Sequence, residues 1–228
     1  MPKERNPYIT VEGQRFLRLP IKTKILTAED KMLDIVREYA LPLAQPGDII
    51  TISESPLAIT QGRAVLVSEL KIGLLAKLLW RFVAKVPYGI GLRHPASMQC
   101  AIDECGSLRI LLAAAIGGIG KFVGRKGKGD FYRIAGMQAA LIDACGTSPV
   151  PPYNETVIKG PLHPEKAAQE IYDATGYHAA IMDINDIGGC WMIGASSGLS
   201  KHFMEKVMKD NPQGQSDELT PLCLVRRA

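Results

Sequence analysis

Strand-like and helix-like segments alternate along this chain from one end to the other, and that alternation limits it to mixed α and β structure. Residues 16–20, Phe-Leu-Arg-Leu-Pro, read as a strand ending at a proline. Thr27-Ala-Glu-Asp30 is a helix-capping signal, and Met32, Leu33, Ile35, Val36 and Tyr39 follow at helical spacing until Pro42. The Pro46-Gly47 turn introduces a buried strand over 48–53, and Gln61-Gly62 marks the next turn. Residues 98–105 lead into an apolar helix over 108–119, which Gly117, Gly118 and Gly120 are expected to release. Residues 148–163 are proline-rich and expected to be irregular. A helix over 165–175 ends at Gly176, strands cover 179–183 and 190–194, a helix covers 200–209, and 222–225 is a closing strand. The expectation is an α+β fold of mixed sheets with interleaved helices. It forms one domain over residues 1–228, with 148–160 as the candidate place for a subdivision.

Two apolar stretches raise the question of a membrane. Residues 66–86 carry Glu69, Lys71, Lys77, Arg81 and Lys85, too many charges for a spanning helix. Residues 108–119 fall short of the ~20 that a bilayer requires. With Leu74, Leu75, Leu78, Leu79, Trp80 and Phe82 among its cations, the first stretch has the composition of a helix lying on a membrane surface. Packing on its own core, or on a partner subunit, is the commoner fate of such a helix. No apolar stretch follows the N-terminal charges, which argues against a signal peptide. The chain has 27 Lys and Arg against 23 Asp and Glu, and the surplus of +4 is too mild to mark a nucleic-acid stripe. The dispersed Cys100, Cys105, Cys145, Cys190 and Cys223 argue for reduced thiols and a cytoplasmic location.

Three features have the residue types for chemistry. Asp103-Glu104 offers carboxylates to a hard cation such as Mg²⁺ or Mn²⁺, or else caps a helix N-terminus. Asp183-Ile-Asn-Asp186 follows an apolar strand, where α and β folds place ligands, although an Asx turn uses the same residues and is the commoner reading. Gly124-Arg-Lys-Gly-Lys-Gly-Asp130 combines backbone access with positive charge, as a phosphate cradle requires, or is a solvated loop; it lacks the Walker spacing. Cys100, Cys105 and His94 lack zinc-ligand spacing. Ser196-Ser197 sits in Gly194-Ala-Ser-Ser-Gly198, which superficially looks like a nucleophile elbow, but tight packing by small residues accounts for it better. Each histidine stands alone in the sequence, so a catalytic triad has no support.

Taken in order, the motifs resemble those of the coenzyme F-420 γ-glutamyl ligases. The resemblance begins with Leu19-Pro-Ile-Lys-Thr-Lys-Ile-Leu-Thr27 and the acidic pair and helix after it. It continues through Pro46-Gly-Asp48 and Gly62-Arg63, and closes on Gly214-Gln215 and Thr220-Pro-Leu-Cys-Leu-Val-Arg226. The resemblance implies a metal- and nucleotide-dependent amide-bond ligase. GTP phosphorylates a small-molecule carboxylate, with Mg²⁺ or Mn²⁺ as cofactor, and the α-amine of L-glutamate attacks the acyl phosphate. It assigns metal binding to Asp103 and Asp183, with Asp186 and Gln215 as helpers. It assigns nucleotide contacts to Leu19, Pro20, Ile21, Lys22, Gly214 and Gln215, and phosphate or substrate contacts to Arg63, Arg125 and Lys126. It also implies a ligase-like, intertwined homodimer, which would give the apolar stretches a burial partner; the mild charge, separately, leads to the expectation of no nucleic-acid partner.

The chain departs from the family pattern at its nucleotide residues. Ala58-Ile59 stand where the family has a Ser-Lys pair, and Gly106 stands where it has an Asn. Asp183-Ile-Asn-Asp-Ile-Gly188 replaces an Asp-Thr and a Gly-Arg-Pro segment. These departures motivate the alternative of a non-catalytic or repurposed relative that binds a nucleotide, metal or cofactor.

Overall fold

The computed structural model describes residues 5–83, 91–122 and 130–228. Its elements in chain order are β1 (Tyr8–Val11), β2 (Gln14–Ile21), α1 (Met32–Ile35), β3 (Ile49–Ser53), α2 (Glu54–Thr60), β4 (Ala64–Leu66), α3 (Leu74–Leu79), α4 (Pro95–Cys105) and α5 (Ser107–Phe122). They continue with α6 (Asp130–Ala135), α7 (Met137–Ala140), β5 (Thr156–Ile158), α8 (Pro164–Thr175), β6 (His178–Ile184), β7 (Cys190–Ala195), α9 (Lys201–Met208) and β8 (Leu222–Arg227). The fold is α+β, and the chain divides into two compact units: Met1–Gly62 with Leu162–Ala228, and Arg63–Pro161.

The first unit is built on a six-stranded sheet in the order β1-β2-β8-β3-β6-β7. Only β3 and β6 pair in parallel; the other neighbours are antiparallel. Two antiparallel steps separate β2 from β3, so β2, β3 and β6 all run the same way. Their carboxyl ends, Ile21, Ser53 and Ile184, share one edge of the sheet with Leu222, where β8 begins. The middle strands read as continuous apolar runs because both faces are covered: Ile50, Ile52 and Leu222–Leu224 are fully buried. Burial pushes the Cys223 thiol up to about 12, so it stays a neutral core group. On one face Met204, Val207 and Met208 of α9 pack with Val11, Phe16, Ala180, Met182 and Val225. Helix α8 packs on β6 and β7 and ends at Gly176, in the left-handed conformation that glycine allows, with its N–H on the Tyr172 carbonyl at 2.8 Å. Gly194 on β7 lets α8 come close, since a Cβ there would lie 2.5 Å from the Pro164 backbone.

Charge pairs tie the sheet to its connections. Arg18 on β2 is fully buried and bonds both carboxylate oxygens of Asp210, one at 3.1 Å, and the Val207 carbonyl at 3.0 Å. Arg226 on β8 holds Asp48, just before β3, at 2.7 and 2.9 Å.

The second unit is mainly helical. Helices α3 to α7 surround a core that includes Leu79, Met98, Ile110 and Ala139, and β5 pairs antiparallel with β4 against it. Among the described residues no helix is long and apolar enough to cross a membrane.

Several local expectations need correction. The capping signal at Thr27 makes a turn, with the Thr27 N–H on the Asp30 carboxylate at 2.8 Å, and the helix begins only at Met32. That helix loosens into a π-helical stretch, Val36–Ala40, before Pro42. Helix α5 does not leave at its glycines but runs to Phe122. Gly117 serves packing instead, since a Cβ there would sit 3.3 Å from the Cβ of Phe131 on α6. The region over 148–163 is not irregular throughout. It holds β5, whose three residues are too few to show a periodicity.

The Gly194 contact predicts that Gly194→Ala destabilises the protein by about 1–3 kcal/mol through backbone displacement of α8. A urea midpoint equal to that of the wild type would show that α8 does not seat on β7 at this point.

Candidate functional site

The carboxyl ends of β2, β3 and β6 gather the candidate chemistry of the first unit. Beyond Ile184 the chain turns tightly: the Asn185 Oδ1 accepts from the Ile187 and Gly189 N–H groups at 3.2 and 2.8 Å. The Asx-turn reading therefore describes Asn185. Asp186 points elsewhere, into a polar segment that follows α9. Its carboxylate accepts from Asn211 Nδ2 at 2.9 Å and from the Arg5 guanidinium at 2.9 and 3.1 Å. Its N–H donates to Gln215 Oε1 at 2.9 Å. Glu218 stands beside them, 3.4 Å from Arg5, and accepts the Ser216 N–H at 2.7 Å. The hydrogen bond from Arg5 to Asp186 comes first among the contacts that raise the guanidinium's pKa.

A second set of bonds docks this segment to the sheet. Gln213 is buried, donates to the Ser53 hydroxyl at 3.0 Å and accepts from the Thr51 hydroxyl at 3.3 Å. The Ser53 N–H donates to the Pro221 carbonyl, and the Thr23 N–H to the Leu219 carbonyl, each at 2.9 Å. Gly214 has φ of 82°, and a Cβ there would fall 2.5 Å from the Glu218 carboxylate, so glycine is required.

This arrangement places the residues that the motifs single out. Asp186, Gly214 and Gln215 come together. Asp183 lies in the last turn of the pleat of β6, one residue beyond the Ser53–Met182 pair. Leu19, Pro20 and Ile21 are strand residues paired with Leu224, Cys223 and Leu222, and Lys22 is exposed just past the strand end. Arg125 and Lys126 lie outside the described residues.

In the second unit, Asp103 and Glu104 occupy the last turn of α4, not its start; the N-cap is His94, whose Nδ1 accepts the Ala96 N–H. The capping account of these carboxylates therefore fails, and the helix dipole disfavours negative charge at that end. Asp103 is exposed and accepts from Gln99 Nε2 at 2.7 Å. Glu104 bridges two cations, Arg63 at 2.7 Å and Lys159 at 2.9 Å. Arg63 is 7% exposed and also donates to Gln138 at 3.2 Å and to the Gly160 carbonyl. It is thus held as a buried ion pair. Burial pushes the Glu104 carboxyl up, but the bonds from Arg63 and Lys159 outweigh it and hold the group below its ordinary range.

Other side chains were not marked by the sequence. Arg5, Thr51, Ser53, Asn211, Gln213 and Glu218 enter the cluster without any motif, although a polar, glycine-containing stretch between a helix and a strand was a signal for it. Nor is every histidine alone, since His178 Nδ1 lies 3.1 Å from the Ser196 hydroxyl and stacks on Tyr172. Ser196 is 2% exposed and also accepts the Ala179 N–H at 3.1 Å, so the pair fastens β7 to β6 and offers no open nucleophile. Among the described residues no group of three or more His, Cys, Asp or Glu side chains is arranged to hold a metal ion. No protein-family model and no curated protein matches this chain.

The Glu104 bridge sets a pH response. A carboxyl held low by folding stabilises the protein fully above its unfolded value, 4.5, and that contribution is lost as pH falls through the folded value. Glu104→Gln is expected to lower stability near neutral pH by about 1–3 kcal/mol, because Arg63 stays buried without its counter-charge. It is also expected to flatten the fall of the urea midpoint below about pH 4.5. An acid response as steep as that of the wild type would remove Glu104 from it.

Proposed function

We propose that this protein is a metal- and nucleotide-dependent amide-bond ligase of the γ-glutamyl ligase type. One observation carries the reading: Asp186 and Gln215, 29 positions apart, meet at 2.9 Å beside the carboxyl ends of β3 and β6. Carboxyl ends of strands are where sheets of this kind place ligands. The donors also suit the proposed cation. Asp186, Glu218 and Gln215 present carboxylate and amide oxygens, the ligand type of Mg²⁺ and Mn²⁺, and Asp186 and Glu218 already hold one cation, the Arg5 guanidinium.

In this reading Asp103 is a metal-binding residue of the second unit, and in the first unit Asp183, Asp186 and Gln215 would hold a divalent cation. When bound, it supplies charge neutralisation at the transferring phosphate oxygens. The chain itself does the rest. The backbone of Leu19–Lys22 and Gly214 lines the nucleotide, with the Gly214 N–H itself donated to the Asn211 side-chain oxygen at 3.1 Å. Lys22, exposed beyond β2, offers charge to phosphate. The terminal phosphoryl group of GTP passes to an acceptor carboxylate, forming an acyl phosphate as GDP leaves. The amine of L-glutamate then attacks the acyl carbon, an amide forms, and inorganic phosphate leaves with the amine's proton lost to water.

A second reading is favoured by Ala58 and Ile59. Both are buried on α2, 0% and 8% exposed, where the related ligases carry a Ser-Lys pair for the nucleotide. A core position of that kind presents no polar group to a ligand. It fits a relative that kept the fold for binding.

Asp183→Asn and Asp103→Asn are each expected to lower Mn²⁺-dependent GTP hydrolysis or ligation by at least about a hundredfold, as loss of a charge-neutralising ligand does. Turnover in both variants equal to the wild type would overturn the ligase assignment. Thermal unfolding with GTP and Mn²⁺ separates the second reading. A ligand bound only by the folded state raises the midpoint. A rise without turnover indicates a binding protein.

A further inference from the structure

The two units differ sharply in charge. Residues 63–161 carry 13 Lys and Arg against 6 Asp and Glu, a net +7, while the rest of the chain carries 14 against 17, a net −3. Between Leu70 and Ile102 there is no acidic residue, while Lys71, Lys77, Arg81, Lys85 and Arg93 fall in that span. The same unit exposes large apolar side chains. Helix α3 turns Ala76 and Leu79 into the core and leaves Leu74, 85% exposed, and Leu78 on its outer side. Helix α5 buries Ile110 and Ala113 and leaves Leu108, 82% exposed, Leu111 and Leu112 outside. Lys71, Lys77 and Arg81 are exposed alongside Leu74 and Leu78, and none of them forms an ion pair among the described residues. Helix α3 in this stretch thus buries one face and exposes the other.

We infer that the outer face of α3, with its leucines and cations, docks on an anionic lipid surface. Leucines at helical spacing enter the headgroup boundary, and Lys71, Lys77 and Arg81 meet the lipid charge. Charge decides between this occupant and a second copy of the chain. A two-fold interface sets the same patch against itself, so these cations would face one another with Glu69 the single acidic residue between Arg63 and Ile102 to answer them. An anionic bilayer neutralises them. The inference is independent of the ligase reading, because no nucleotide or metal residue takes part.

The test is co-sedimentation of the full chain with vesicles. The protein is expected to pellet with phosphatidylcholine vesicles containing about one-third phosphatidylserine, to be released as salt rises, and to stay in solution with phosphatidylcholine alone. Leu74→Glu with Leu78→Glu, and separately Lys71→Glu with Lys77→Glu, are expected to cut the bound fraction at least about tenfold. All four side chains are exposed, so circular dichroism and thermal midpoint should not change. Failure of the wild type to pellet with anionic vesicles, or equal binding to neutral and anionic ones, overturns the proposal. So does a dimer in sedimentation velocity that Leu74→Glu with Leu78→Glu converts to monomer.

Discussion

The first unit depends on where its last strand goes. β8 enters between β2 and β3, with Leu222 opposite both Ile21 and Ile52 and Cys223 opposite both Pro20 and Thr51. Without it β2 and β3 would have no common neighbour, and no shared edge would gather Lys22, Ser53 and Asp186. Its burial on both faces makes the insertion favourable, since each fully buried aliphatic side chain contributes about 1.5–3 kcal/mol. Pro20 is consistent with this layout. β1 reaches along β2 only to Leu17, so Pro20 has a strand neighbour on one side, the setting in which sheets accept proline.

Having placed the strand, the chain must also place the loop before it. That loop runs past the sheet edge with few apolar side chains, so polar contacts hold it. Gln213 is the central one, bonded to β3 through Thr51 and Ser53 and to its own segment through Thr220. Arg18 secures the other end by gripping Asp210 from inside the sheet. A buried arginine of this kind is costly to leave unpaired, so Asp210 and the carbonyls around Arg18 specify one position for the loop. Arg5 adds a contact of another kind. It satisfies Asp186 and Glu218 with a charge that belongs to the N-terminal segment.

The sequence showed most of this sheet and little of its cluster. β2, β3, β6, β7 and β8 announce themselves as apolar runs bounded by Pro, Gly or Asx residues. α8 and α9 announce themselves by caps and period. β1, β4 and β5 have three or four residues each and leave no pattern. The order of the strands was illegible as well, because pairing depends on contacts between Leu222 and Ile21 some two hundred residues apart. The cluster fared similarly. Asp186 and Gln215 carried a family resemblance, but Asn211 and Gln213 are ordinary polar residues whose role exists only once β8 has brought them to the sheet. Asp103, next to an apolar helix, could be read equally as a cap or as a cation ligand. In fact the acidic pair closes one helix, and Gly106, with φ of 85°, separates it from the next.

The overall charge conceals a division of labour. A surplus of +4 looks unremarkable, yet it is the sum of a −3 unit and a +7 unit. Within the positive unit the cations differ in their circumstances. Arg63 and Lys159 are committed to Glu104, and their charge is largely spent inside the fold. Lys71, Lys77 and Arg81 have no such partner among the described residues and stand beside exposed leucines. Solubility alone favours charge without exposed leucine, and a core favours leucine without charge. A surface that keeps both matches a partner that is apolar and anionic at once, as the proposed bilayer of anionic lipid is. The other unit carries the opposite net charge, −3, so the two units differ in the charge of the partner each suits.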